Sequence, residues 1–188
     1  MNVEEARERI LSAAEDLYYQ KGYSAVGMDE LRTTAGVSLR RLYALFPSKD
    51  DIITAVLDRK HSEWESGLTG RVASAPDTAR ERLLAIYAYL EEWFTTESFR
   101  GCAFINAFGE LGGTHPEIAA LVRDHKASFQ QYVTALVRDL GASDDLAAQL
   151  SILAEGAQST AAISRDPAVA GQARSAAQTL IDSALATA

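Results

Sequence analysis

The side chains of this sequence best equipped for chemistry lie in one stretch, VSLRRLYALF, Val37 to Phe46. Arg40 and Arg41 are adjacent, Tyr43 follows, and Lys49 stands just past Pro47 and Ser48. A guanidinium carries paired N–H donors that match the O6 and N7 edge of guanine. A phenol, and an ammonium near a helix N-terminus, suit phosphate oxygens. The same residues would also make an ordinary solvated helix face, so their surroundings must decide.

Other chemistry is sparse. His61, His115 and His125 lack metal-ligand spacing. The one cysteine, Cys102, excludes an intrachain disulfide and a Cys-rich zinc site. No Gly-rich phosphate loop, dinucleotide fingerprint or Ser-His-Asp arrangement stands out. No catalytic residue, metal or cofactor is therefore expected, and the chain is not expected to be an enzyme. Two alternatives use Cys102: a redox sensor, with Arg100 nearby, or a small-molecule enzyme that has no visible base. A lone cysteine among apolar neighbours is usually an inert small hydrophobe.

The elements that position these residues read as helices throughout. Val3, Ala6, Ile10, Ala13, Ala14, Leu17 and Tyr18 form one apolar stripe, opened by an Asn2–Glu5 capping box and ended by Gly22. A short helix spans Met28 to Ala35 and stops at Gly36, a residue suited to the positive φ past a helix end. Ser38 can cap the next helix. In that helix Leu39, Leu42, Tyr43 and Phe46 share one side, and Arg40, Arg41 and Ala44 point away from Leu42 and Phe46. Ser48 and Asp51 are spaced to cap a fourth helix through Ile52, Ile53, Val56, Leu57 and Trp64. Ser66 to Asp77, rich in small residues, reads as a loop. Further helices are expected near 78–97, 101–111, 116–140, 144–164 and 167–187. Two short helices joined by a Gly-containing turn outline a helix-turn-helix, whose second helix enters the DNA major groove.

Bulk properties narrow the field. The chain has 188 residues, 47% of them hydrophobic, enough for a sizeable core, and a net charge of −8. That charge argues against non-specific coating of nucleic acid. It is uneven: residues 1–50 carry seven Lys and Arg against eight Asp and Glu, so the acidity belongs to the rest. The charged start MNVEEARERI is no secretory signal, and no apolar run is long enough for a membrane span. A cytoplasmic location without membrane contact is expected.

The order of residues 5–52 resembles the N-terminal DNA-binding domain of TetR-type transcriptional repressors. The carrying residues are Gly22–Tyr23, Leu31, Ala35–Gly36–Val37–Ser38, Leu42–Tyr43, Phe46 and Lys49. The resemblance implies an all-α protein with a helix-turn-helix domain at 1–48 and a helical ligand-binding and dimerisation domain at 49–188. It assigns groove-facing roles to Ser38, Leu39, Arg40, Arg41 and Ala44, and phosphate contacts to Tyr43 and Lys49. Family members often carry Ser or Thr at the start of the second helix. Here Gly27 and Met28 offer only backbone N–H groups.

The resemblance also implies a small-molecule effector site after residue 50. Candidates are Tyr87, Leu90, Trp93 and Phe94; Phe104, Asn106 and Phe108 in GCAFINAFGEL; and His125, Phe129 and Tyr132. Read on its own, each aromatic is ordinary core and His125 a hydrogen-bonded core histidine, while a buried amide such as Asn106 demands partners. The two terminal helices are rich in small residues, with stripes at Leu146, Leu150, Leu153, Ala157 and Ala161, and at Ala173, Ala176, Ala177 and Leu180. Intrachain packing would explain them; the resemblance implies a homodimer interface. The expected function is a repressor released from a palindromic, double-stranded operator by an unidentified effector. A helical interaction module with degenerate DNA binding is the alternative that the acidic balance and Gly27 suggest.

Overall fold

The computed structural model describes residues 1–187, and among these every regular element is an α-helix. In chain order they are α1 (Val3–Lys21), α2 (Met28–Ala35), α3 (Leu39–Leu45), α4 (Lys49–Ala73), α5 (Ala79–Phe94), α6 (Ala103–Leu111), α7 (Pro116–Asp139), α8 (Asp144–Ser164) and α9 (Ala168–Thr187). No helix among the described residues is long and apolar enough to cross a membrane.

The helix ends follow from local chemistry. Asn2 Oδ1 accepts the Glu5 N–H at 2.7 Å and opens α1. Gly22, at φ +88°, closes it with its N–H on the Tyr18 carbonyl. At the end of α2, Gly36 takes the left-handed conformation (φ 66°) and donates to the Thr33 carbonyl. Val37 donates to Arg32, completing the paired bonds of a Schellman turn. Ser48 and Asp51 cap one another ahead of α4, with the Asp51 N–H on Ser48 Oγ at 3.1 Å and the Ser48 N–H on Asp51 Oδ2 at 2.8 Å. Val3 is exposed, so the buried stripe of α1 begins one turn later, at Ala6.

One expected loop is helix instead. α4 runs on to Ala73, through most of the stretch Ser66 to Asp77. Leu68 and Val72 repeat the four-residue spacing of Trp64 and are buried, which anchors the last turns. Gly67 is there for closeness and not for a turn. A Cβ on it would lie 2.7 Å from the Tyr89 hydroxyl of α5.

Packing divides the chain into two units, Met1–Ser62 with Ala103–Arg123, and Glu63–Cys102 with the chain from Asp124 on. The first therefore includes α6 beside α1–α3, so packing is drawn differently from a division of roles at 48/49. Its buried side chains include Ile10, Leu31, Leu42, Phe46, Ile52 and Leu57. The second has a core of Leu83, Ile86, Tyr87 and Leu90 from α5, Phe129 and Val133 from α7, Leu150, Ala154 and Ala157 from α8, and Ala173, Ala177 and Ile181 from α9. The many alanines let α8 and α9 approach α5 closely.

Gly36→Ala tests the turn between α2 and α3. Nothing crowds a Cβ there beyond ordinary contact with Arg9, so the left-handed backbone is the whole cost, about 1–2 kcal/mol. Urea unfolding should show that loss; an unchanged midpoint would show that the turn relaxes freely.

Candidate nucleic-acid interface

α3 is only seven residues long, and its orientation rests on the few side chains it buries. Leu42 is fully buried, and Phe46, just past the helix, is buried with the Arg7 guanidinium 4.5 Å over its ring. Ser38 Oγ accepts the Arg41 N–H at 3.2 Å and caps the start. With Leu42 inward, the exposed positions are Leu39, Arg40, Tyr43 and Ala44, spaced one and four apart as one helix face requires.

This differs from the face drawn from sequence in three places. Leu39 is 41% exposed and Tyr43 46%, although helical angle put both on Leu42's side; the exposure agrees instead with the DNA-facing roles that the resemblance implied for them. Arg41, expected to point outward beside Arg40, is half-buried, and its Nε–H is buried with no hydrogen-bond partner. The cause is angular. Arg41 lies next to Leu45, itself half-buried, on the edge of the packed side, and the sequence does not say where along the helix circumference burial ends.

The remaining candidates flank this face in the chain. Gly27 is the N-cap of α2 with no side-chain cap, and open space surrounds its Cα. Met28 follows, half-buried. Lys49 begins α4, and its ammonium donates to the Ser24 carbonyl at 3.4 Å. Burial pulls the Lys49 ammonium below its ordinary range, against Asp50 and Glu110, which act to raise it. The arrangement offers backbone N–H groups, one exposed arginine, an exposed phenol and a partly desolvated ammonium, the donors a polyanion requires.

The expected effector residues fall into both units. Phe104, Asn106 and Phe108 belong to the first, where Phe104 is buried and Phe108 exposed. In the second, Tyr87 donates its hydroxyl to the Leu150 carbonyl at 2.8 Å, and burial holds its phenol above the usual range. Leu90 and Phe129 are core, His125 is buried edge-on to Trp64, and Trp93 and Tyr132 pack against the core's rim. A cavity of about 360 Å³ does open in this unit, lined by Phe94, Thr96, Glu97, Phe99, Arg100, Ala161, Ala162, Arg165 and Pro167. Of the ten expected residues only Phe94 reaches it. Cys102 is buried, and contrary to an isolated thiol it receives a contact from the Lys126 ammonium at 3.5 Å, which also pairs with Glu155.

The expected dimer stripe turns inward. Leu146, Leu150, Ala157, Ala161, Ala173 and Ala177 are buried in the chain's own core, Leu153 and Leu180 half-buried, and only Ala176 is exposed. The large apolar side chains that α8 leaves outside are Ile152, 72% exposed, and Ile163, 85% exposed. They lie about three turns apart on one face. Small residues occur on several faces of these helices, so their periodicity could not separate the inner stripe from the outer one.

Against known proteins, residues 10–56 match the family described as bacterial regulatory proteins, tetR family. Residues 79–177 match the tetracyclin repressor-like C-terminal domain. A TetR-family transcriptional regulator from Streptomyces coelicolor shares 29% identity and superposes with a TM-score of 0.90 over 97% of both chains. A tetR transcriptional regulator from Streptomyces avermitilis shares 30% identity with a TM-score of 0.82, over 95% of this chain and 97% of that one. The transcriptional activator FasR of Mycolicibacterium smegmatis is 32% identical over 120 residues, 64% of this chain and 53% of its own length. The transcriptional repressor NemR of Escherichia coli is 30% identical over 108 residues, 57% of this chain and 54% of its own. The chain thus spans about half the length of these curated relatives.

The inward turn of the alanine stripe has a direct test on two neighbours in α9. Ala177→Arg places an unpaired charge in the core and should cost about 3–5 kcal/mol, read as a large fall in the temperature at which the helical circular-dichroism signal is lost. Ala176→Arg should keep that signal at 25 °C. Equal behaviour of the two variants would contradict the burial of Ala177.

Proposed function

This chain belongs to the TetR family of bacterial regulatory proteins, and from that premise we propose that it is a dimeric transcriptional regulator that reads a palindromic operator and leaves it when a small-molecule effector binds. The observation that carries the reading is the outward face of α3, where Arg40 stands free among Leu39, Tyr43 and Ala44. In the major groove Arg40 pairs with guanine through two parallel bonds, Leu39 meets a thymine methyl, and the small Ala44 permits close approach. Ser38 serves chiefly as the cap. Tyr43, Lys49 and the N–H groups at Gly27 and Met28 take the phosphates. Lys49 exchanges the Ser24 carbonyl for a phosphate oxygen, and a partly desolvated ammonium gains more from that charge than a hydrated one. Repression is the simpler sign, since a dimer lying across a promoter excludes polymerase without any further contact.

A palindrome needs two heads. The exposed Ile152 and Ile163, with Gly156 between them and open space above it, support a second copy packing on the outer face of α8. Exposed Ala176 of α9 adds to the small outward surface. Removing both isoleucines from water in both copies contributes roughly 1.5–3 kcal/mol per side chain. Half-sites one helical turn apart, or a multiple of it, are the geometric consequence.

An effector that binds the released state more tightly than the operator-bound state shifts the population toward release. Support for such a site comes from family membership and from the 360 Å³ cavity, which is in the range of small-molecule sites. Phe94 and Phe99 form its aromatic wall, with Arg100 and Arg165 among its polar lining residues.

Selection of bound sequences from random DNA supplies the operator. On it, Arg40→Ala should lose about 1–3 kcal/mol and relax one base preference, whereas Arg41→Ala should keep that preference. Lys49→Ala should weaken operator and unrelated DNA alike and make the salt dependence shallower. An operator preference untouched by Arg40→Ala would refute the assigned face.

Ile163→Arg addresses the dimer. Sedimentation should find a folded monomer, and operator affinity should drop because one half-site is held at a time. A variant that still sediments as the wild type, dimeric or not, moves the interface away from this face of α8.

A further inference from the structure

Glu110 is the one charged side chain of α6, and it points at the loop between α1 and α2. Its carboxylate accepts the Tyr23 N–H at 3.1 Å and the Ser24 N–H at 2.8 Å. The approach is so close that a Cβ on Gly22 would lie 2.7 Å from Oε1. Gly22 also holds φ +88°, a backbone conformation that favours glycine, whereas the carboxylate, at the end of a flexible side chain, could shift for a Cβ. About two turns back along α6, the Ala103 carbonyl accepts the Tyr23 hydroxyl at 3.2 Å. The Tyr23 ring is buried, 5.1 Å from that of Tyr18. Two adjacent residues of the loop are thus held at two points along one helix.

What this loop leads to gives the contact its meaning. Three residues after Ser24 comes Gly27, the N-cap of α2, which gives the helix no side-chain cap. Its N-terminus inherits its position from the loop. The Ser24 backbone also lies between two charges, its N–H on Glu110 and its carbonyl on the Lys49 ammonium. Charge-assisted bonds of a carboxylate to backbone N–H groups are among the stronger ones available.

We propose that Glu110 is a positioning residue for the DNA contact. By holding Tyr23 and Ser24 it sets where Lys49 and the N–H groups of Gly27 and Met28 stand for phosphate. Unlike a Ser or Thr cap, it fixes the approach to α2 without occupying the helix's own first N–H groups. The inference rests on the DNA-binding reading above, yet it concerns phosphate contacts alone. Loss of the carboxylate weakens binding to every sequence and leaves the choice among sequences intact.

Glu110→Ala and Glu110→Gln in the full chain test this, with amide hydrogen exchange and DNA titration on the same samples. In Glu110→Ala the Tyr23 and Ser24 amides should exchange at least about tenfold faster while those of Ile10 and Leu11 stay protected. Affinity for the selected operator and for an unrelated duplex should fall together by roughly tenfold, about 1.4 kcal/mol, with a shallower salt slope. Glu110→Gln keeps one acceptor oxygen and should lie between Ala and the wild type in both measurements. Faster exchange with wild-type affinity would make Glu110 merely structural and overturn the proposal, as would exchange that does not change. A loss confined to the operator would overturn it in favour of base readout. Wild-type protein that binds neither duplex refutes the regulator reading itself, a failure that the exchange arm, which needs no DNA, separates from failure of the clamp.

Discussion

A seven-residue helix cannot hold itself together, because its nucleus costs more backbone entropy than its few internal hydrogen bonds return. α3 therefore exists through what it buries. Leu42 and Phe46 lock its rotation, Ser38 supplies its cap, and Gly36 sets its angle to α2. Rotation of this short cylinder decides which arginine faces solvent and which lies against the protein. The candidate interface is consequently a property of the first unit's core as much as of the residues displayed on it.

The loop ahead of α2 obeys a different constraint. Backbone N–H groups outside regular structure need acceptors, and here the acceptor for two of them arrives from eighty-odd residues along the chain. That brings α6 into the same packed unit as α1–α3, although it lies in sequence amid the helices of the body. The Tyr23 hydroxyl on the Ala103 carbonyl is a second tie between the two stretches, and within the first of them Arg59 of α4 pairs with Glu8 and Glu15 of α1. The first unit is therefore assembled from two separate stretches of chain by polar contacts as well as by apolar burial.

In the second unit, volume is the governing quantity. Alanine at 154, 157, 173 and 177 lets helices come close, each such buried position leaves little room for anything larger, and glycine at 67 makes room for the Tyr89 ring. Polar groups that enter this core are paired within it. Tyr87 finds the Leu150 carbonyl, and Ser151 bonds back to Ala147 in its own helix. The outer face of α8 follows no such rule, which is why two isoleucines stand in solvent there.

Much of what is local was legible in the sequence, although the Thr78 cap of α5 and the left-handed Arg165 that ends α8 were not read from it. Helical period, the caps at Asn2, Ser38 and Ser48, and the stops at Gly22 and Gly36 depend on residues within about five positions of one another. The family was legible as a resemblance, carried by residues such as Gly22–Tyr23, Ala35–Gly36–Val37–Ser38, Leu42–Tyr43 and Lys49. Three matters were decided only by tertiary packing. Gly67 read as a loop signal because sequence cannot show that Tyr89 lies against it. Arg40 and Arg41 read as equals because the edge of a buried face depends on what packs there. The alanines of α8 and α9 fitted intrachain packing or a dimer interface, and Glu110 carried no role, because the partners of each are distant in the chain. A sequence records which contacts a residue is able to make. Which of them it makes depends on chain segments brought together only by folding.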